Sequence, residues 1–314
     1  MRNRRNMMTQ NQDAEDAIAI LGLGKVGTAV GRLLKSAGYR IIAVADLSPA
    51  ALNKGIAFTG GQACKSLSEA AAAATCIFIT TTDDAIASVC HEIVAGGAVN
   101  EGDKVIHMSG AGGLDLLAPA RQAGAYVASI HPIQAFADVE GAILNIPGST
   151  FGITADEELR EWAVSIVSAL KGVPFFVSER DKALYHAAAC MASNYLTTLM
   201  HMVETTYQAL GLSRKEAILA FWPLVRGTLL NIETRGAAEA LTGPIARGDA
   251  GTIGKHLQAL QETLPGLLNA YCELGLMTID MALQKGSLTR ERAQTIKTLF
   301  KEGDSADEYA GKSE

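Results

Sequence analysis

From Asp16 to about Val177 short apolar runs alternate with segments of helical period, a pattern that predicts a mostly parallel sheet covered by helices on both faces. The runs are Ala17–Leu21, Ile41–Asp46, Thr75–Thr80, Lys104–Met108, Ala125–Ser129, Thr150–Ile153 and Pro174–Val177, and between them Thr28–Lys35, Ala50–Lys54, Leu67–Ala73, Asp84–Val94, Leu114–Ala123 and Glu157–Leu170 read as crossover helices. Beyond Ser178 the strand signals stop. Long periodic segments follow at Lys182–Leu210, Arg214–Thr234, Ile253–Leu264, Leu267–Lys285 and Thr289–Lys301, interrupted by Pro223 and Pro265. The expected organisation is an α/β domain over 16–178 followed by an all-α domain over 179–301. The segments 1–15 and 302–314 are polar and charged and are expected to be a disordered and a flexible tail.

The first apolar run leads straight into Gly22-Leu23-Gly24-Lys25-Val26-Gly27 and then a helix. In that order, Gly22 permits a tight turn, Gly24 lets the backbone approach a pyrophosphate, and Gly27 lets helix and strand pack closely, with the helix N–H groups aimed at the phosphates. The α/β domain is thus expected to be of Rossmann type and to bind NAD or NADP through residues 22–27. Asp46 ends the second run, where a carboxylate can accept from ribose hydroxyls and repels a 2′-phosphate; NAD is therefore preferred. Asp46 as a helix cap is the alternative, although Ser48-Pro49 already supplies one. Lys25 either adds charge beside the pyrophosphate or is simply solvated.

Composition narrows the class. The chain has 314 residues, enough for two domains, and 48% of them are apolar. A net charge of −6 without a basic cluster beyond the first five residues argues against nucleic acid and a membrane surface. Neither a secretory signal nor an apolar run of roughly 20 residues is present. The five cysteines, Cys64, Cys76, Cys90, Cys190 and Cys272, are scattered without metal spacing, as expected of reduced thiols in a cytoplasm.

Ligands of open parallel sheets bind beyond the carboxyl ends of the strands. Three loops there carry candidate chemistry. Thr81, Thr82 and Asp84 would pass near the nicotinamide ribose, with helix capping the alternative for Asp84. Ser109 precedes Gly110-Ala111-Gly112-Gly113, a stretch suited to binding a carboxylate or carbonyl oxygen or to making a turn. His131 ends a strand on the cofactor side; it either exchanges a proton near neutral pH or merely bonds backbone. On the first long helix His186, Cys190 and Ser193 fall four and three apart, sharing a face with Asn194 at its margin, while small neighbours Ala187–Ala189 and Ala192 suit either ligand approach or packing. Arg247, in the turn Leu241–Asp249, either pairs with Asp249 or a surface carboxylate, or meets an anionic substrate or a partner subunit's cofactor.

Together, Gly22–Gly27, Ser129-Ile130-His131-Pro132, Tyr185-His186-Ala187-Ala188-Ala189, Ser193-Asn194-Tyr195-Leu196, Leu241-Thr242-Gly243-Pro244 and Arg247-Gly248-Asp249 resemble the Rossmann-like family with a C-terminal domain of unknown function 2520. The resemblance spans about Ala17 to Phe300. More distantly the layout is similar to hydroxyacid dehydrogenases, pyrroline-carboxylate and ketopantoate reductases, and deazaflavin-linked NADP oxidoreductases. These relatives imply hydride transfer in a cleft between the domains and a homodimer joined through the helical domain. One departure is notable: if Asn194 matches the asparagine of the hydroxyacid dehydrogenases, Cys190 occupies the position of their lysine. The expected function is a cytoplasmic NAD(P)-dependent oxidoreductase acting on a small polar substrate, with Ser109, His131, His186, Ser193 and Asn194 on the substrate side. A dinucleotide-binding sensor or scaffold without turnover, and a deazaflavin-linked NADP oxidoreductase, are the alternatives.

Overall fold

The computed structural model describes residues 16–310. The expected N-terminal tail, 1–15, lies outside the described residues, as do 311–314. The chain divides into two compact units between Ser193 and Asn194. The first half of the first long helical segment thus belongs to the α/β unit.

The first unit is an eight-stranded sheet. Its strands are β1 (Ala17–Leu21), β2 (Arg40–Ala45), β3 (Gln62–Ala63), β4 (Cys76–Ile79), β5 (Lys104–His107), β6 (Tyr126–Pro132), β7 (Thr150–Ala155) and β8 (Val173–Phe176). They lie in the order β3-β2-β1-β4-β5-β6-β7-β8. All neighbours run parallel except β6 and β7. The helices are α1 (Lys25–Ser36), α2 (Pro49–Thr59), α3 (Leu67–Ala72), α4 (Ile86–Ala95), α5 (Ala118–Gln122), α6 (Val139–Asn145), α7 (Arg160–Ala169) and α8 (Lys182–Cys190).

The strands are continuous apolar runs because both faces are covered. Ile18, Ile20, Phe78 and Ile106 point to one face, where Val30, Leu34 and Trp162 pack. Ala19, Leu21, Ile77 and Val105 point to the other, against Leu67, Val89 and Ile93. Helix α6 is absent from the sequence pattern. It is started by Asp138, which accepts from the Gly141 amide, and the chain then returns along β6 as the antiparallel β7.

The second unit is helical: α9 (Leu196–Ala209), α10 (Arg214–Arg235), α11 (Ala237–Ala240), α12 (Pro244–Arg247), α13 (Ala250–Thr263), α14 (Leu268–Lys285) and α15 (Arg290–Ala310). The expected single helix over Lys182–Leu210 is instead split by a π-helical turn at Met191–Tyr195. The expected flexible tail from 302 is helical to Ala310. Ile253, Leu268, Cys272, Ile279, Ile296 and Phe300 form the core. Ser213 and Glu216 cap each other's backbone at the start of α10, which continues through Pro223. Among the described residues no helix is long and apolar enough to cross a membrane.

Candidate functional site

Strand β1 ends in a turn that only glycine accommodates. Gly22 has φ +101°, and a Cβ there would come within 2.9 Å of the Thr80 carbonyl group and the Thr81 nitrogen. A Cβ on Gly27 would overlap the Gly22 carbonyl oxygen and Thr80 Oγ1, so the start of α1 rests directly on the turn. Thr80 Oγ1 donates to the Gly22 carbonyl at 2.6 Å and fixes the turn to the end of β4. Gly24 is different. It precedes α1 without a side-chain cap, and nothing lies within 4 Å of where its Cβ would be.

Open space there joins a cavity of about 480 Å³ whose lining includes Gly22, Gly24, Lys25, Val26 and Asp46. The first-turn amides of a helix have no intrahelical acceptors, so this end presents donors to an anion. Leu23 does not line the cavity: its side chain is buried in the core, and its amide donates to Asp46 Oδ2 at 2.6 Å. Asp46 Oδ1 accepts from the Ser48 amide at 2.7 Å, while Ser48 Oγ caps α2 by accepting from Ala51. The Asp46 carboxylate therefore ties the glycine turn to the β2–α2 loop, and each of its oxygens retains a lone pair for a further donor. Lys25 Nζ donates to the Phe136 carbonyl at 3.2 Å. Thr81, Thr82 and Asp83 are among the residues lining the cavity, whereas Asp84 is not; Asp83 begins the 3₁₀ turn Asp83–Ala85.

A second polar cluster sits at the carboxyl ends of β5 and β6. Ser109 donates its amide to Nδ1 of the buried His107, whose Nε2–H then donates to the Gly113 carbonyl at 3.1 Å. Ser109 Oγ accepts from the Gly112 amide at 2.9 Å, and Glu179 Oε1 accepts from the Leu114 amide at 2.6 Å. The Ser109–Gly113 loop is thus pinned at both ends. Ser109 Oγ is engaged in the loop turn itself. A Cβ on Gly110 would lie 2.7 Å from His131 Cε1 and 2.6 Å from His186 Cδ2, so glycine is what admits both imidazoles. Their rings are 6.0 Å apart, edge to face.

Of the two readings open for His131, proton exchange near neutral pH or a ring that merely bonds backbone, its burial speaks against the first. Burial, with smaller contributions from the neighbouring His186 and Lys182, pushes it down to about 4. It is a neutral imidazole at pH 7, 2.7 Å from the Tyr185 hydroxyl. Lys182 is the residue sequence reasoning passed over. It opens α8, is only 3% exposed, and donates from Nζ to Ser129 Oγ at 2.8 Å; Ser129 in turn donates to the Ser109 carbonyl at 3.0 Å. Desolvation lowers its ammonium to about 8, opposed by the charges of Glu179 and Asp83. A first-turn lysine after Glu179-Arg180-Asp181 reads as a solvated charge; only the strand-end Ser129 hints at a buried partner.

His186 and Cys190 keep the helical spacing, with Cys190 Sγ 3.9 Å from His186 Nδ1. Ser193 and Asn194 do not continue that row. They lie in the π turn, whose i→i+5 bonding puts an extra residue into the turn and rotates them relative to a regular helix, and both are exposed. In the second unit Asp249 caps α13 by accepting from the Thr252 amide and hydroxyl, and Arg247 is exposed.

A parallel sheet ordered about β1, with a glycine turn at its carboxyl end, defines a Rossmann-like domain. Residues 3–132 match the Rossmann-like domain and residues 149–278 match the domain of unknown function 2520. The chain thus pairs a Rossmann-like region with a region matching the domain of unknown function 2520. No curated protein matches it. Among solved structures, a candidate NADP oxidoreductase of Bacteroides fragilis shares 20% identity at a TM-score of 0.72, over 85% of this chain and 99% of that one. The Thermotoga maritima protein TM1727 shares 24% identity at 0.66, over 86% and 99%. The pyrroline carboxylate reductase of Plasmodium falciparum, with NADP bound, shares 13% at 0.55, over 91% and 98%. These likenesses establish the fold.

Proposed function

We propose that this protein is an NAD(P)-dependent oxidoreductase acting on a small polar substrate. The observation that carries the reading is the cradle at Gly22–Gly27. Two of its glycines are required by the protein's own packing, whereas Gly24 faces open space at the start of α1, where a side chain would obstruct only a ligand. The residues present fit a dinucleotide: the α1 amides for the pyrophosphate, Asp46 for the adenosine ribose, and Thr81, Thr82 and Asp83 along the wall of the same cavity. The names of the similar structures, among them an NADP-bound reductase, support this assignment.

Asp46 favours NAD, because its carboxylate would repel a 2′-phosphate and the following Leu47 offers no positive charge. When bound, the nicotinamide supplies or accepts the hydride. The chain's own polar groups at the ends of β5 and β6 and on α8 take the remaining tasks: the Ser109–Gly113 loop and His186 orient the substrate, His131 hydrogen-bonds its reacting heteroatom, and Lys182 is the buried group whose charge changes nearest neutral pH. A homodimer in a reducing compartment belongs to the same reading. It is supported by the exposed Leu219, Leu224 and Leu230 of α10 and by the thiols of Cys64, Cys76, Cys90 and Cys190.

The test is fluorescence titration with NADH and NADPH, followed by turnover assays over imines, ketoacids and hydroxyacids. NADH is expected to bind more tightly than NADPH and at least one substrate class to turn over. Failure of both nucleotides to bind would remove the proposal.

A further inference from the structure

The strand register brings a tyrosine hydroxyl against one ring nitrogen of one of the two histidines. Gly152 stands opposite His131 across the antiparallel β6–β7 pair. A Cβ on Gly152 would overlap Tyr185 Oη, so the phenol occupies the space that any side chain at 152 would fill. Tyr185 Oη lies 2.7 Å from His131 Nδ1, with the rings edge to face at 5.7 Å. The Gly152 backbone beside the phenol lowers its titration only in part against the effect of burial. A phenol that keeps its own proton has that proton to give, and His131 Nδ1 is the acceptor beside it. Burial pushes the phenol up to about 12, so that proton is in place throughout the neutral range. The charged and titratable groups facing His131 are His186, Lys182, Asp83 and His107; with burial, their net effect keeps the imidazole neutral. A neutral imidazole that accepts at Nδ1 carries its hydrogen on Nε2.

We infer that Tyr185 is a positioning residue that holds His131 in the Nε2–H tautomer, making His131 a neutral hydrogen-bond donor to the oxygen or nitrogen of a substrate C=O or C=N group. The catalytic half of the inference rests on the oxidoreductase reading; the tautomer rests on the Tyr185–His131 contact and on the burial of both groups. In this role His131 polarises the double bond without giving up its proton, and Gly152 is required because only glycine leaves room for the phenol. Gly110 packs against the same imidazole edge, where a Cβ would lie 2.7 Å from Cε1 and 2.9 Å from Nδ1, so the ring is held closely on its Nδ1 side.

The experiment is long-range proton–nitrogen correlation NMR on protein labelled with nitrogen-15 histidine at pH 7, with His131 assigned by loss of its signals in His131→Gln. The wild type is expected to show protonated Nε2 and unprotonated Nδ1. Tyr185→Phe, which keeps the ring, is expected to give a mixture of tautomers, and Gly152→Ala the same change with the tyrosine retained. A wild-type spectrum with the proton on Nδ1, or a Tyr185→Phe spectrum identical to wild type, would overturn the inference. The wild-type spectrum decides even if both variants fail to fold. With a reducible substrate in hand, Tyr185→Phe is expected to lower kcat at least tenfold with KM for NADH unchanged, and an unchanged kcat would overturn the positioning role. NADH titration is scored separately: absent binding with the expected tautomer removes the oxidoreductase reading and leaves the lock standing.

Discussion

Lys182 Nζ lies 2.8 Å from Ser129 Oγ, joining the first turn of α8 to the middle of β6 and, through the Ser129 hydroxyl, to the carbonyl of Ser109. A buried ammonium with a neutral hydroxyl partner costs stability while it is charged. The native group titrates at about 8 and the unfolded one at 10.5. Between those values the unfolded chain binds a proton that the native chain does not, so stability rises with pH across the window. Relative to Lys182→Met, which has no such titration, the wild type is expected to gain about 3 kcal/mol between pH 7.5 and 10.5. Urea unfolding of both proteins at the two pH values measures the difference, and a pH-independent difference would contradict the burial of charge at this site.

Gly24 and Gly27 are expected to separate binding from folding. Gly27→Ala places a methyl group against the Gly22 carbonyl and Thr80 Oγ1, and overpacking of this kind costs about 1–3 kcal/mol. Gly24→Ala meets no protein atom within 4 Å and has φ −70°, so its melting is expected to be unchanged within about 0.5 kcal/mol. Its NADH affinity is nevertheless expected to fall by tenfold or more. Paired denaturation and fluorescence titrations read both quantities. Full NADH affinity in Gly24→Ala would show that the nucleotide does not approach this backbone.

Asp46 joins two loops as well as facing the cavity. Asp46→Asn leaves an oxygen for one of the two amides but turns an amide group toward the other, and it removes the charge that repels a 2′-phosphate. The expected result is weaker NADH binding and an NADH to NADPH affinity ratio reduced by about tenfold. The readout is calorimetry with each nucleotide, and a ratio that stays the same would remove Asp46 from specificity.

How much of this was readable beforehand depended on range. The glycine turn was legible because a short apolar run, three glycines and a helix follow one another locally, and Ser48-Pro49 announced the start of α2 for the same reason. The antiparallel β7 was not, since a buried strand is an apolar run whichever way it points. Lys182 was not, because its partner is 53 residues away and its burial is decided by packing. Asp83 and Asp84 are adjacent, and only the 3₁₀ turn decides which faces the cavity. The π turn at Met191–Tyr195 carries no punctuation by proline or glycine, so a regular helix was the natural expectation and the shared face of His186, Cys190 and Ser193 followed from it.

At the amino end of the sheet Asp16 Oδ1 pairs with Lys104 Nζ at 2.6 Å and Asp16 Oδ2 accepts from Trp162 Nε1 at 2.7 Å, with the ammonium 5.5 Å from the indole centroid. Asp16 is 7% exposed. Asp16→Ala strands the indole N–H and a partly buried ammonium, and is expected to cost on the order of 2 kcal/mol. Trp162→Phe, which keeps the ion pair, is expected to cost less. Equilibrium unfolding orders the two, and the reverse order would show that packing of the indole outweighs the polar contacts.

His107 and His131 are both held near 4 by burial, against 6.5 in the unfolded chain. Above pH 6.5 each is neutral in both states and contributes no pH dependence. Between 6.5 and 4 the unfolded chain takes up protons that the native one excludes, so stability falls as the pH falls through that window. For His131 alone the loss between pH 7.5 and 4.5 is expected to be about 2–3 kcal/mol. His131→Gln should therefore lose less stability than wild type over the same interval, by that amount, in urea melts at the two pH values. Because the native imidazole stays neutral until about pH 4, any turnover that depends on His131 as a hydrogen-bond donor is expected to show no inflection near pH 6.5 in kcat. An acid limb at 6.5 that His131→Gln abolishes would instead make His131 a proton-exchanging group, contrary to its burial between Gly110, Tyr185 and His186.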